Sequence, residues 1–414
     1  MKRLLIISNN VISETNNNGK TILSFIDGMK DAEIAQLYFS GEVPRVEGFT
    51  YFQITDKDII GGFINSSKRG KSRDVVFDNS QVDDFSIRNK VGRNDVTLII
   101  RDILWIIHWK SKQLEEWLDA FMPQAIFFVA GDGLFPYVIC NSIKRKYNSR
   151  LTVYVTDDYI MPIKNEKVLH KIRRKKIYES LKSTLSIADS FYTVSKMMHD
   201  AYIKELGYDS YIAFNMTEDL YDPVKNDRDE IYLIYTGSLY YKRDEIIGEL
   251  AKEISNLNQN NPIQAKLIVY SNYEPTEKQK KKFLIDEVSF FGGSLNKTDL
   301  KKVLNKADIL VFVESFDIKH IEKIKYSIST KVSEYMSVGK PIFAIGPNNV
   351  GSMKYLSDIA ICCNRSELIK NKLEIILNDV KIREEYGNKA RIKFLKDFNK
   401  RKQQEQLKIA VLGN

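Results

Sequence analysis

Ser329-Thr330-Lys331, with Glu334 three positions on, is the grouping in this 414-residue chain best suited to gripping a charged ligand. It sits in ESFDIKHIEKIKYSISTKVSEYMSVGKPIFAIGP, residues 314–347. Serine is a natural N-cap, so a helix is expected to start near Thr330 and to close at Gly339, where glycine tolerates the left-handed cap. The first amides of such a helix have no intrahelical acceptors and carry the positive end of its dipole. With the Thr330 hydroxyl and the Lys331 ammonium they would make a diphosphate site. Glu334, one turn on, could accept from a hydroxyl pair such as the 2′- and 3′-OH of a ribose. The competing reading is an ordinary capped helix with Lys331 and Glu334 in water.

YTGSLYYKRDEI, residues 235–246, is the second grouping. A strand runs into Gly237-Ser238, whose backbone can approach a phosphate closely. Lys242 and Arg243 follow at the mouth of the next helix, where cations could neutralise a leaving diphosphate. A glycine turn with surface cations is the plainer alternative.

Three further polar loops follow apolar runs. The first carries Gly19-Lys20-Thr21, but a nucleotide-phosphate loop needs a glycine five residues before Gly19, and Glu14 stands there. An NTPase is therefore not expected, although the strand-loop-helix outline remains. The second is AGDGLFP, with Asp132 between two glycines. The third is TDDY, with Asp157 and Asp158. An Asp there could orient an acceptor hydroxyl or act as general base, or merely cap its own turn. The sequence does not choose between the two.

Alternating elements must position these loops. Strands are expected near 4–7, 34–39, 125–130 and 151–155, and helices near 20–30, 111–121 and 133–147. FYTVSKMMHDAYIKELG, 191–207, reads as a strand, Ser195 as N-cap, and a helix ending at Gly207. The pattern breaks at about 213–230, a polar stretch with Pro223. A second series follows, with a strand running into a loop at 231–239, strands at 265–272, 288–293, 308–313 and 340–346 and helices at 298–307 and 330–339. The fold class is α/β: two doubly wound Rossmann-like domains facing a cleft, with site loops at the carboxyl ends of the strands. The expected divisions are 1–222, 223–385 donor-binding, and 386–414 returning toward the first domain.

Composition narrows the classes. Hydrophobic residues make up 43% and charged residues 28%, which is globular rather than disordered. No apolar run of membrane-spanning length occurs; the nearest, VTLIIRDILWIIHW, carries Arg101 and Asp102. Lys2 and Arg3 precede an apolar run too short for a signal peptide. Three cysteines and four histidines show no metal spacing, so no metal and a reduced cytoplasmic setting are expected. Net charge is +9. Two basic clusters stand out: SSKRGKSR, 66–73, expected as a loop, and HKIRRKKIYESLKS, 170–183. The latter has Ile172, Ile177, Leu181 and Leu185 at helical spacing and suits the inner face of an anionic membrane. Neither has the interleaved aromatics of a nucleic-acid groove, so no nucleic-acid partner is expected.

In order and spacing, YTGSL, FFGG, LKKVLNKADILVFVES and SEYMSVGKPIFAIG resemble the donor domain of nucleotide-sugar glycosyltransferases of the GT-B fold, specifically the large retaining family four. FYTVSKMMHDAYIKELG is similar to that family's end of the first domain, and REEYGNKARIKFLKDF to its C-terminal helix. The resemblance implies that Glu334, matching the second Glu of an E-x7-E motif, holds the donor ribose. It places Thr330 and Lys331 at donor phosphate and sugar, Gly237 and Ser238 in the glycine loop, and Arg243 on the diphosphate. It sets Gly19, Lys20, Thr21 and Asp132 on the acceptor side, and Asp157 and Asp158 near the reacting sugar as the catalytic candidates. One departure is plain: Tyr326 stands eight residues before Glu334, where the first Glu belongs, and Glu314 is too far upstream to replace it.

What the resemblance implies is transfer of a sugar from a nucleotide diphosphate sugar to a hydroxyl, with no cofactor beyond the donor. The basic helix suggests a lipid-linked saccharide of surface polysaccharide synthesis as acceptor. Two rivals are a nucleotide-sugar epimerase on the same fold and a non-catalytic basic binding module. The epimerase needs carboxylates and a histidine gathered at the donor sugar, and the histidines are not expected in those loops.

Overall fold

The computed structural model describes residues 1–14, 17–61, 69–76, 94–214, 229–259 and 262–413. Its contacts divide into two units, Met1–Ala213 with Arg401–Asn414, and Phe214–Lys400. Most of the polar stretch at 213–230 lies outside the described residues.

The first unit runs, in order, β1 Lys2–Ser8, α1 Asn17–Ile26, β2 Ala32–Tyr38, β3 Thr50–Gln53, α2 Asp56–Gly61 and β4 Lys71–Arg73. It continues with α3 Asp95–His108, α4 Lys112–Phe121, β5 Ala125–Ala130, α5 Phe135–Tyr147, β6 Arg150–Val155, α6 Val168–Leu185, β7 Ser190–Thr193, α7 Lys196–Leu206 and β8 Tyr211–Ile212. The strand order is β4-β3-β2-β1-β5-β6-β7-β8. All pairings are parallel except β3 with β4. Leu4 to Ile7 and all of β5 are buried, as a parallel sheet with helices on both faces requires.

The second unit runs β9 Glu230–Thr236, α8 Arg243–Asn258, β10 Gln264–Tyr270, α9 Glu277–Phe283, β11 Ser289–Gly293, α10 Lys297–Lys306 and β12 Ile309–Val313. Then come α11 Ile318–Ile324, α12 Thr330–Val338, β13 Ile342–Ile345, α13 Gly351–Leu356, β14 Ile361–Cys363, α14 Ile369–Asn378 and α15 Val380–Asp397. The sheet is parallel throughout, in the order β11-β10-β9-β12-β13-β14. Side chains alternate between two cores: Leu233 and Tyr235 join one, Ile234 the other. The last helix, α16 Lys400–Leu412, packs on the first unit. Leu407 and Val411 are buried, Lys2 donates to Leu412 O at 2.6 Å, and Arg150 Nε donates to Ala410 O at 2.7 Å.

Three sequence expectations change. SSKRGKSR is not wholly a loop: Lys71–Arg73 forms β4 against β3, while 66–68 lies outside the described residues. VTLIIRDILWIIHW is the amphipathic α3, opened by a capping box between Asn94 and Thr97. In α6, Ile177, Leu181 and Leu185 face the core and only Ile172 of the four is exposed. Arg173 is buried too, on Asp102 of α3, because its position falls on the same inward stripe. No described helix is long and apolar enough to cross a membrane.

Candidate functional site

In each unit the sheet order reverses direction beside its first strand, between β1 and β5 and between β9 and β12. Loops leaving the carboxyl ends of such a pair diverge to opposite faces and leave a crevice between them. Gly237 and Ser238 fall on the loop after β9 and Asp132 on the loop after β5, while Gly19, Lys20 and Thr21 lie in α1, Thr330, Lys331 and Glu334 in α12, and Asp157 and Asp158 after β6.

In the second unit, Gly237 and Ser238 follow β9, and Glu314 follows β12. A Cβ on Gly237 would stand 2.6 Å from the Tyr235 hydroxyl and 3.0 Å from Lys331 Cε. The glycine is thus required by the close approach of a ring and of Lys331 itself. Tyr235 donates to Ser238 O at 2.7 Å, and the Tyr335 hydroxyl accepts from Thr236 N at 3.0 Å, tying α12 to the end of β9. Thr330 starts α12 and Gly339 closes it with φ 69°. Ser329 takes the N-cap position, but its side chain makes no capping bond; its amide donates to Ser352 Oγ at 3.0 Å. Burial pushes the Lys331 ammonium below its usual range, and the neighbouring Glu334 offsets part of this. Tyr326, in the loop before α12, has Lys325 Nζ 5.1 Å from its ring centre.

Arg243 opens α8 after two non-glycine residues in the left-handed region, Tyr241 at φ 58° and Lys242 at φ 61°. Each such residue costs on the order of 1–3 kcal/mol and persists where its surroundings over-determine it. Here Tyr241 stacks on His320 at 4.0 Å, and Lys242 Nζ lies 4.0 Å from Asp317 Oδ2. The Arg243 guanidinium donates to Glu314 Oε2 at 2.5 Å, to Val313 O at 3.2 Å and to His320 Nε2 at 3.1 Å. Since Arg can only donate, Nε2 accepts and the imidazole proton is assigned to Nδ1, which is buried with no hydrogen-bond partner among the described residues. Burial would raise the Glu314 carboxyl, but the Arg243 guanidinium bonded to it outweighs this and holds it below the usual glutamate value.

Sequence reasoning set Glu314 aside as too far upstream and missed His320 and Tyr241. Glu314 directly follows the unbroken apolar strand ILVFV, the same strand-end signal that singled out Asp157 and Asp158. The expectation that no histidine enters these loops is also corrected. His320 lies in α11, a short helix capped by Asp317, which carries it back onto Arg243.

In the first unit, Gly19 sits inside α1, where a Cβ would meet Val11 O at 2.3 Å. The glycine serves contact between α1 and the loop after β1. Lys20 is exposed and Thr21 buried. Gly131 packs against Asn9, so the loops after β5 and β1 touch. Asp132 is half-buried, and its carbonyl accepts from the Arg173 guanidinium. Arg173 Nε also lies 3.1 Å from Asp102 Oδ2, while Asp102 Oδ1 accepts from Leu134 N at 2.9 Å. A buried ion pair therefore fastens the β5 loop to α3 and α6. Asp158 Oδ1 accepts from Ile160 N and Met161 N at 3.2 Å and from the Tyr202 hydroxyl at 2.9 Å. Burial raises its pKa against these bonds. The Asp157 Oδ2 accepts from the Tyr159 hydroxyl at 3.4 Å. Among the described residues no cluster of His, Cys, Asp and Glu has the makings of a metal site.

No protein-family profile and no curated protein matches the chain. Solved structures do. The E. coli trehalose-6-phosphate structure bound with UDP-2-fluoro glucose matches at TM-score 0.62 and 12% identity, covering 98% of this chain and 99% of that one. Anabaena Alr3699/HepE in complex with UDP matches at 0.62 and 11%, covering 98% of each. S. aureus TarM, as a point mutant in complex with fondaparinux, alpha-GlcNAc-glycerol and UDP, matches at 0.58 and 11%, covering 99% and 100%. These likenesses establish the GT-B fold.

Proposed function

We propose that this chain is a glycosyltransferase moving a sugar from a nucleotide diphosphate sugar to a hydroxyl acceptor. The observation that carries it is Lys331 lying against Gly237 at the β9 switch point, with Arg243 on the next helix. Two cations and the uncapped first amides of α12 suit a diphosphate leaving group. Glu334, one turn into α12, suits the donor ribose. Several solved structures of this fold hold UDP or a UDP-sugar, which makes uridine the first base to test. Retention at the anomeric carbon is the stereochemical reading. In the first unit, Asp157 and Asp158 are the two strand-end aspartates read as candidates for orienting an acceptor hydroxyl. Gly19, Lys20, Thr21 and Asp132 are read as acceptor-side. The acceptor proposed is a lipid-linked saccharide of surface polysaccharide synthesis, on the cytoplasmic face of the membrane.

The test is a panel of UDP-, GDP- and dTDP-sugars and the free diphosphates, followed by melting temperature. At least one should raise it, by an amount that grows with concentration. No response to any of them sinks the transferase reading. The Glu314–His320 pair beside Arg243 favours one second reading, a nucleotide-sugar epimerase. Incubating donor alone separates the two: an epimerase changes the sugar while the nucleotide stays attached, a transferase does not.

A further inference from the structure

The outer face of α3 is apolar along its length. Val96, Ile100, Ile103 and Ile107 recur at intervals of four, three and four residues and form one stripe. Beside it, the first turns of α6 expose Val168 and Ile172. These six side chains are each 44% to 74% exposed. The two helices are joined at their first turns by His170 Nδ1 on Asp95 Oδ1 at 3.1 Å, and inward by the Arg173–Asp102 pair. Their outward faces are therefore one continuous surface. The stripe alone extends about 16 Å, three turns of helix.

Charge says what covers it. Lys167, Lys171, Lys175 and Lys176 are exposed on α6 around the apolar residues. The acids nearby are largely engaged: Asp95 by His170, and Glu166 by Arg174 at 2.7 Å and 3.0 Å. A two-fold dimer through this face would bring the lysine rim against its own copy. An apolar ridge edged by ammonium groups instead matches a bilayer whose headgroups are anionic and whose acyl region begins just beneath them.

We propose that the outer faces of α3 and the start of α6 form a monotopic docking surface for an anionic lipid bilayer, with the α3 stripe in the acyl boundary and the α6 lysines among the headgroups. This places lipid contact chiefly on α3, whereas the apolar residues expected to make it in α6 are mostly core. It goes beyond the proposed transfer reaction and draws on it only for a purpose, a lipid-linked acceptor.

The experiment is co-sedimentation of the full chain with extruded vesicles, phosphatidylglycerol–phosphatidylcholine against phosphatidylcholine alone, without nucleotide sugar. The wild type should partition onto the phosphatidylglycerol vesicles, less at high salt. Ile100→Asp/Ile107→Asp should lower partitioning at least about tenfold, since both positions are exposed and the loss is of burial in lipid. Lys171→Glu/Lys175→Glu/Lys176→Glu should remove the preference for phosphatidylglycerol. Wild type left in the supernatant at low salt overturns the proposal, as does wild-type partitioning by the isoleucine variant. A dimer that the isoleucine variant splits, seen by light scattering, also overturns it. Because no donor is present, donor binding and lipid docking can fail separately.

Discussion

Lys331 and Glu314 are the side chains on which the proposed donor site turns, and they respond to pH in opposite ways. In that proposal Lys331 would hold a diphosphate only while protonated, and burial has lowered its pKa. Affinity for a nucleoside diphosphate should therefore fall as pH rises toward 10, earlier than for a solvated lysine. Lys331→Ala should weaken the diphosphate by about ten- to a hundredfold, the worth of a charge-assisted hydrogen bond, and remove that alkaline limb. It should leave nucleoside binding nearly unchanged; equal loss of both by calorimetry would remove the phosphate role. Glu314 has a folded pKa below its ordinary 4.5, so its pairing stabilises fully above that value and is lost as pH falls through the lower folded one. The stability gap between wild type and Glu314→Gln should shrink between pH 6 and pH 3 in thermal melts. A constant gap would mean that the carboxylate charge is not what matters. Lys331 was legible because type and spacing alone marked it. Glu314 and His320 were not, because their meaning depends on Arg243, some 70 residues earlier.

At the scale of elements, the sequence marked strands better than helix faces. An all-apolar strand such as ILVFV admits one reading, buried in a parallel sheet. Helix α6 admits two, since a basic helix with an apolar stripe fits a core or a lipid surface equally well. What decided it was Asp102, an acid in the middle of an apolar run, which has no local explanation until Arg173 is placed beside it. That pair is buried on both sides and holds the Gly131–Leu134 turn. Asp102→Ala would leave Arg173 uncompensated and should cost about 3–5 kcal/mol in denaturant unfolding. A loss under about 1 kcal/mol would show that the Arg173 charge is compensated without Asp102. The left-handed Tyr241–Lys242 turn was illegible for a different reason: neither residue type favours φ above zero, and what accounts for it is distant in sequence, the stacking of Tyr241 on His320 and the approach of Lys242 to Asp317.

At the scale of the molecule, the two parallel sheets were legible because each βα repeat leaves its own period in the sequence, whereas the strand order and the short strands β3, β4, β8 and β14 were not. The resemblance placed the return at 386–414 and rested on REEYGNKARIKFLKDF, but that segment is α15, whose Ala390 and Phe394 are in a core of the second unit; what joins the first unit is α16, basic and weakly patterned. Its hold on the first unit is specific: Gln404 donates to Ser24 O at 2.7 Å and Lys408 pairs with Asp31 at 2.9 Å. Leu407 is 1% exposed, and Leu407→Ala should destabilise the first unit by about 2–5 kcal/mol. Limited proteolysis should then cut residues 1–213 faster, with the second unit's fragments unchanged; parallel acceleration of both would show that α16 serves the whole chain.

The first unit is consequently discontinuous, its sheet made before the second unit and its closing segment, residues 401–414, after it. The ribosome must make the intervening residues 214–400 before α16 can dock, a delay on the order of 10–40 s. During that interval the groove that receives Leu407 and Val411 stands open. The newborn chain then carries an exposed apolar seam while its second unit is still half-finished, and it is in that window that a chaperone has something to hold.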